Sequence, residues 1–242
     1  MMKFEPIHTD LFEEGQDLPA FIARHISRVE ENTILVVSSK LAALWKNCVV
    51  PFESAQQKEA LIKKQSTAYL KTALAWLTIK DGMVMTNAGI DESNARGQLL
   101  LLPSDLYGCA RELREALKKV WGVSNFGIII TDSMILPLRA GVIGASVGYS
   151  GFEGVKDLRG HGDLFGRKLK TTLVDAADSI SAAAALTMGE ADEQCPLCVV
   201  TDVPVVFADK TDPDEIKYPA KDDLYAPLFE AAQLKTTGEE KK

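Results

Sequence analysis

Apolar positions recur along the chain in two rhythms, one helical and one strand-like. Leu18, Phe21, Ile22, Ile26 and Val29 fall on one face at helical spacing behind Asp17. That spacing predicts a capped amphipathic helix from Asp17 to about Glu30. Thr33–Ser38 (TILVVS) is a β-branched apolar run and predicts a buried strand. Ser54 to about Ala75 is rich in Ala, Lys, Gln and Leu and predicts a helix. Leu77 to Met85 predicts a hairpin turning at Asp81-Gly82. Gln98–Leu102 is a short strand, and Ser104 is placed to cap a helix lined by Leu106, Cys109, Leu113, Leu117 and Val120. Phe126–Thr131 (FGIIIT) predicts a central strand ending at Asp132, and Arg139–Gly151 a glycine-rich strand with close backbone approaches. A long helix with an alanine-rich middle is expected over Leu169–Met188, then a strand over Leu197–Phe207. A polar connection and a short helix fill Asp212 to Ala232.

Helices and strands interleave, but the hairpin argues against a purely βαβ winding. The expected class is α+β, a mixed sheet with packed helices and two lobes that no linker separates. One domain over residues 1–235 and a polar, disordered tail over 236–242 are expected.

Composition narrows the partners. Apolar residues make up 46% and charged residues 25%, which allows an ordinary globular core. A net charge of -7 argues against nucleic acid as a partner. No apolar run approaches the roughly 18 residues of a membrane span, and the acidic start does not read as a secretion signal. The expected location is the cytoplasm. Cys195 and Cys198 have C-x-x-C spacing, but they run into an apolar strand without further paired ligands. They read as two small, half-buried residues rather than a redox or zinc pair.

Three segments place carboxylates beside glycine or a strand end: Asn87-Ala88-Gly89-Ile90-Asp91-Glu92-Ser93-Asn94, Thr131-Asp132-Ser133, and Met188-Gly189-Glu190. Asp91, Asp132 and Glu190, with the Ser133 hydroxyl, are hard oxygen donors of the kind Mg²⁺ or Mn²⁺ prefers.

These segments resemble the coenzyme F420-0:L-glutamate ligase family. NAGIDESN is similar to its NAGID-x-SN block, TDS to its TDT, GDLFGRKL (Gly162–Leu169) to its KDLYGREL-type segment, and MGE to its MGE/MGQ. Leu35–Lys40 resembles the family's early strand ending in Ser-Lys, and the order agrees over roughly residues 9–207. The resemblance implies a metal- and nucleotide-dependent enzyme that adds L-glutamate to a small acidic acceptor through an acyl phosphate. It implies GTP, with ATP as the alternative, two divalent metals, room for a monovalent cation such as K⁺, and a homodimer. By residue, it implies Asp91 and Asp132 as ligands of one metal, and Ser133 and Glu190 as ligands of the other. Asp91, Asp132 and Glu190 form the implied catalytic set. Thr9, Asp10, Leu11, Phe12, Ser39, Lys40, Asn94, Met188, Gly189 and Glu190 are implied to meet the nucleotide. Arg139, Arg159, Asp163 and Arg167 are candidates for the substrate side.

The chain departs from the family where Ile135-Leu136 replaces a Gly-Arg pair. A guanidinium clamp for carboxylate or phosphate is thereby missing. An apolar pair there favours an acceptor such as folate, whose aromatic ring precedes its glutamate. Two alternatives therefore stand: a folate γ-glutamyl ligase on the same scaffold, and a nucleotide-binding paralogue without catalysis.

Overall fold

The computed structural model describes residues 1–237. The chain runs through β1 (Lys3–Ile7), α1 (Leu18–His25), β2 (Thr33–Ser38), α2 (Ser39–Trp45), β3 (Val49–Pro51) and α3 (Ala55–Gln65). A meander follows: β4 (Ala68–Lys71), β5 (Trp76–Lys80) and β6 (Met83–Thr86), then β7 (Gln98–Leu100) and α4 (Leu106–Trp121). The second half holds β8 (Phe126–Met134), β9 (Ile143–Ser150), β10 (Val155–Asp157), β11 (Leu173–Asp175) and α5 (Ala176–Met188). It ends with β12 (Leu197–Thr201), α6 (Ala226–Ala232) and β13 (Lys235–Thr236). The class is mixed α+β, as expected.

The main sheet has the order β1-β12-β2-β8-β9. β2 and β8 pair in parallel, and the other neighbours are antiparallel. Both faces are covered, which is why TILVVS and FGIIIT are continuously apolar rather than alternating. Leu35, Val37, Ile128 and Ile130 face α1, α2 and α4. Ile34, Val36 and Ile129 face α5 through Ala177, Ile180, Ala184 and Met188. A smaller sheet, β13-β4-β5-β6, is an excursion of the chain closed by its own C-terminal strand.

Several boundaries differ from expectation. Helix α1 stops at His25, because Ile26 turns extended and gives its carbonyl to Trp121 Nε1 at 3.0 Å. Ile26 still reaches the core, so the periodicity outlasts the helix. Helix α3 stops at Gln65, where the Ser66 hydroxyl donates to the Ile62 carbonyl, and Ala68–Lys71 pairs with β5 instead. Asp105, not Ser104, caps α4, accepting from the Gly108 N–H at 2.7 Å, and Val120 is exposed. β8 continues through Asp132 to Met134 after a register shift at Ile130/Thr131. Residues 135–142 form an exposed loop before β9. Helix α5 begins only at Ala176, capped by Asp175, because Leu173–Asp175 pairs with β10. β12 ends at Thr201, with Asp202 left-handed at φ 55°. Thr236, expected in the tail, pairs with Ala68, while the tail residues 238–242 lie outside the described residues.

Candidate functional site

NAGID is a device for aiming Asp91. Asn87, Ala88 and Gly89 are all left-handed, at φ 54°, 54° and 71°. Asn87 tolerates this region and caps the Trp76 N–H with its side-chain oxygen at 3.1 Å. Ala88 is buried, and its N–H donates to the Thr78 hydroxyl at 2.9 Å. Gly89 has no room for a side chain: a Cβ would lie 2.3 Å from Leu102 Cδ1. After this kink Asp91 is pinned by a two-way backbone bridge to Leu100, 3.0 and 2.8 Å. Its carboxylate meets Lys40 Nζ at 2.6 Å and accepts from the Ser93 N–H and hydroxyl. Burial alone would raise the Asp91 pKa, but these hydrogen bonds outweigh it and the pKa is lowered.

Lys40 arrives from the neighbouring strand end. β2 stops at Ser38, which caps α2, and Ser39 and Lys40 open that helix. The Ser39 hydroxyl donates to Asp132 Oδ1 at 2.8 Å, so β2 and β8 meet at the site as they do in the sheet. Burial raises the Asp132 pKa, and Asp91 adds to the rise, against hydrogen bonding from Ser39 and the charge of Lys40. One residue on, the Ser133 hydroxyl touches both oxygens of Glu190, at 3.0 and 2.8 Å. Glu190 follows Gly189, which ends α5 at φ 86°.

A cavity of about 480 Å³ opens over these groups. Its walls come from segments far apart in sequence: 9–12, 38–44, 94–96, 131–133 and 185–196. The 189–196 loop is tied down on both sides. Asn94 Nδ2 donates to the Ala191 carbonyl at 3.0 Å, and Gln194 exchanges hydrogen bonds with Thr9 at 3.1 and 3.0 Å. The Ser133 hydroxyl is paired with Glu190, and Asp91 is close enough to Asp132 for its charge to raise the Asp132 pKa. Among the described residues, no three His, Cys, Asp or Glu side chains group to hold a metal ion by themselves.

The sequence that builds this site has counterparts. A family model described as F420-0:Gamma-glutamyl ligase matches residues 6–202. The chain belongs to the F420-0:gamma-glutamyl ligase family. A relative from Methanococcus maripaludis strain C6, named coenzyme F420:L-glutamate ligase, is 32% identical over 212 residues, 80% of this chain and 85% of the relative. One of the same name from Archaeoglobus fulgidus is 34% identical over 208 residues, 78% and 83%. A third, from Methanopyrus kandleri, reaches 47% identity over 122 residues, 50% of this chain and 48% of the relative. That match, and one covering 57% of a relative from M. maripaludis strain C7, span about half the length of the relatives they match. The family is one of ligases, and the chain falls in that enzyme class.

Within this F420-0 ligase-family chain, Thr9, Asp10, Leu11, Phe12, Lys40, Asn94, Asp132, Ser133, Met188, Gly189 and Glu190 all line the cavity. Ser39 and Asp91 are outside the lining but bonded to two residues of it, Asp132 and Lys40. Arg139, Arg159, Asp163 and Arg167 are exposed and outside the lining. Arg159 is occupied by Asp157 at 2.6 Å, and Asp163 accepts from its own loop's N–H groups at Phe165 and Arg167. Ile135 and Leu136 also face solvent outside the lining, so no apolar wall stands there. Arg96 lines the cavity although no motif pointed to it, and Gln194 lines it within the Met188–Cys195 loop that the resemblance sets beside the nucleotide. Arg96 lies two residues past Asn94, the end of the NAGIDESN block, in a turn that Asn94 and Gly97 make left-handed. Cys195 is half-buried at the cavity and Cys198 is buried in β12, both as free thiols. No described helix is long and apolar enough to cross a membrane.

Proposed function

We propose that this chain joins L-glutamate to a carboxyl group of a small acidic acceptor of the coenzyme F420-0 type, using a nucleoside triphosphate. The observation that carries the reading is the single cavity that gathers Lys40, Asn94, Asp132, Ser133 and Glu190 from four separate segments. A carboxylate is a poor acyl donor. Phosphoryl transfer to one of its oxygens makes an acyl phosphate, and the glutamate amine then attacks the acyl carbon and expels phosphate. The Lys40 ammonium offsets negative charge on the phosphate side. Asn94 and the Gln194–Thr9 exchange hold the walls in register around the nucleotide.

The donor set fits divalent metal. Asp91 with Asp132, and Ser133 with Glu190, would hold divalent metal, with phosphate oxygens and water completing the shell as in Mg²⁺ and Mn²⁺ sites generally. When bound, the metals supply charge neutralisation for the transferring phosphoryl group. The Ser39 hydroxyl fixes the rotamer of Asp132, and Ser133 that of Glu190. A homodimer belongs to the same reading, and light scattering of the purified chain tests it.

The deciding assay offers a deazaflavin F420-0-type acceptor and a reduced folate together, with labelled glutamate, GTP or ATP, and Mg²⁺ or Mn²⁺. Glutamylated deazaflavin supports the proposal. Product from folate alone moves the acceptor to folate. Nucleotide binding without any product leaves the non-catalytic paralogue.

A further inference from the structure

We propose that Arg96 is a phosphate-binding residue at the cavity mouth, held in waiting by Glu13 until a polyphosphate displaces that carboxylate. The inference rests on the nucleotide reading above and extends it to a residue outside the motifs. The cavity lining contains the carboxylates Asp10, Asp132, Glu190, Asp192 and Glu193, against the cations Lys40 and Arg96. Lys40 is engaged by Asp91 at 2.6 Å. Arg96, in the longer and more exposed of the two ion pairs, is the lining cation more readily released to an incoming anion. Its Nη1 meets Glu13 Oε1 at 3.0 Å, and the two side chains are 65% and 55% exposed.

The backbone beneath Arg96 is fixed while its side chain is not. Asn94, Arg96 and Gly97 are left-handed, at φ 53°, 51° and 79°. Between them Ala95 is buried against Ala43 and Leu100. The Asn94 side chain ties the same turn to the Ala191 carbonyl. Glu13 follows Phe12, the last lining residue of its own segment, so the ion pair bridges two cavity walls. An exposed pair of long side chains is weakly held. A phosphate offers the guanidinium fork two oxygens and more charge, and the freed Glu13 returns to water.

The two partners must then affect binding with opposite sign. Binding of GTP and ATP with Mg²⁺ at low salt is measured for wild type, Arg96→Gln, Glu13→Gln, the double variant and Arg96→Lys. Arg96→Gln should weaken binding about tenfold, as for loss of one charge-assisted hydrogen bond. Glu13→Gln should tighten it about two- to fivefold, by removing a competitor of surface ion-pair strength. The double variant should match Arg96→Gln, and Arg96→Lys should fall between it and wild type. Equal affinity in wild type and Arg96→Gln overturns the inference while leaving the nucleotide reading intact. Weakening by Glu13→Gln also overturns it, since the pair then only braces the two walls. A wild type that binds neither triphosphate overturns both.

Discussion

Asp132 is a carboxylate that burial drives toward its protonated form and that Ser39 and Lys40 hold back. Asp132→Asn keeps the volume and removes the charge. It should abolish glutamate ligation and leave the circular dichroism spectrum and urea midpoint near wild type; turnover at the wild-type rate would remove Asp132 from the metal set. A second carboxyl with a raised pKa lies in the first turn of α5. Asp178 accepts from the Ser146 N–H at 2.8 Å, beside Asp175. Burial, then the Asp175 charge, pushes its pKa up to about 6. Asp175 is raised as well, by burial and by Glu215. The folded state thus keeps a proton to higher pH than the unfolded chain. The resulting stability is full below the ordinary carboxylate range and is lost as pH rises through about 6. Asp178→Asn, which can still accept from Ser146 and donate to Asp175, should flatten the melting temperature across that window. It should also raise that temperature at alkaline pH. A pH profile parallel to wild type would refute the assignment.

At the scale of elements, the sequence announces cores better than ends. The β2 boundaries agree with the apolar run because burial on both faces starts and stops with it. The α1, α3 and α5 ends were overrun, since apolar spacing or helix propensity continued where the backbone had already left the helix. Trp121 takes the Ile26 carbonyl where α1 ends, and pairing with β5 and β10 claims the chain after α3 and before α5; Trp121 and β10 lie outside the local window, while β5 is the next segment of the chain. Within the NAGID kink, Gly89 bears two demands at once, a left-handed φ and contact with Leu102. Gly122 is left-handed too, but faces open space. Gly122→Ala should therefore cost about 1–2 kcal/mol from backbone strain alone. Gly89→Ala should add about 1–3 kcal/mol of overpacking and reduce activity, because Asp91 moves with it. Urea denaturation of the two variants separates these contributions, and equal losses would show that Leu102 yields freely.

At the scale of the whole molecule, the cavity is a meeting place of five distant segments, so ligand binding should be felt as global stability. A triphosphate with Mg²⁺ or Mn²⁺ at about 100 times its dissociation constant adds roughly 2.7 kcal/mol, which corresponds to a rise of about 5–10 °C in melting temperature for a chain of this size. A thermal-shift series with GTP or ATP, with and without metal, checks this, and no shift in any combination would remove the nucleotide reading. The sequence by itself determined the fold class, the buried strands, the motif order and about half of the cavity-lining set, because apolar rhythm and short motifs such as NAGID are local properties. Tertiary structure alone decided that Ser39 serves Asp132 and Lys40 serves Asp91. It also decided that Arg96 joins the cavity, and that Arg139, Arg159, Asp163 and Arg167 do not. These outcomes depend on which strand ends lie side by side: β2 beside β8, and the turn after β6 beside the start of α2. Pairings made across 51 residues or more, as between Lys40 and Asp91, leave no periodicity for a sequence to display.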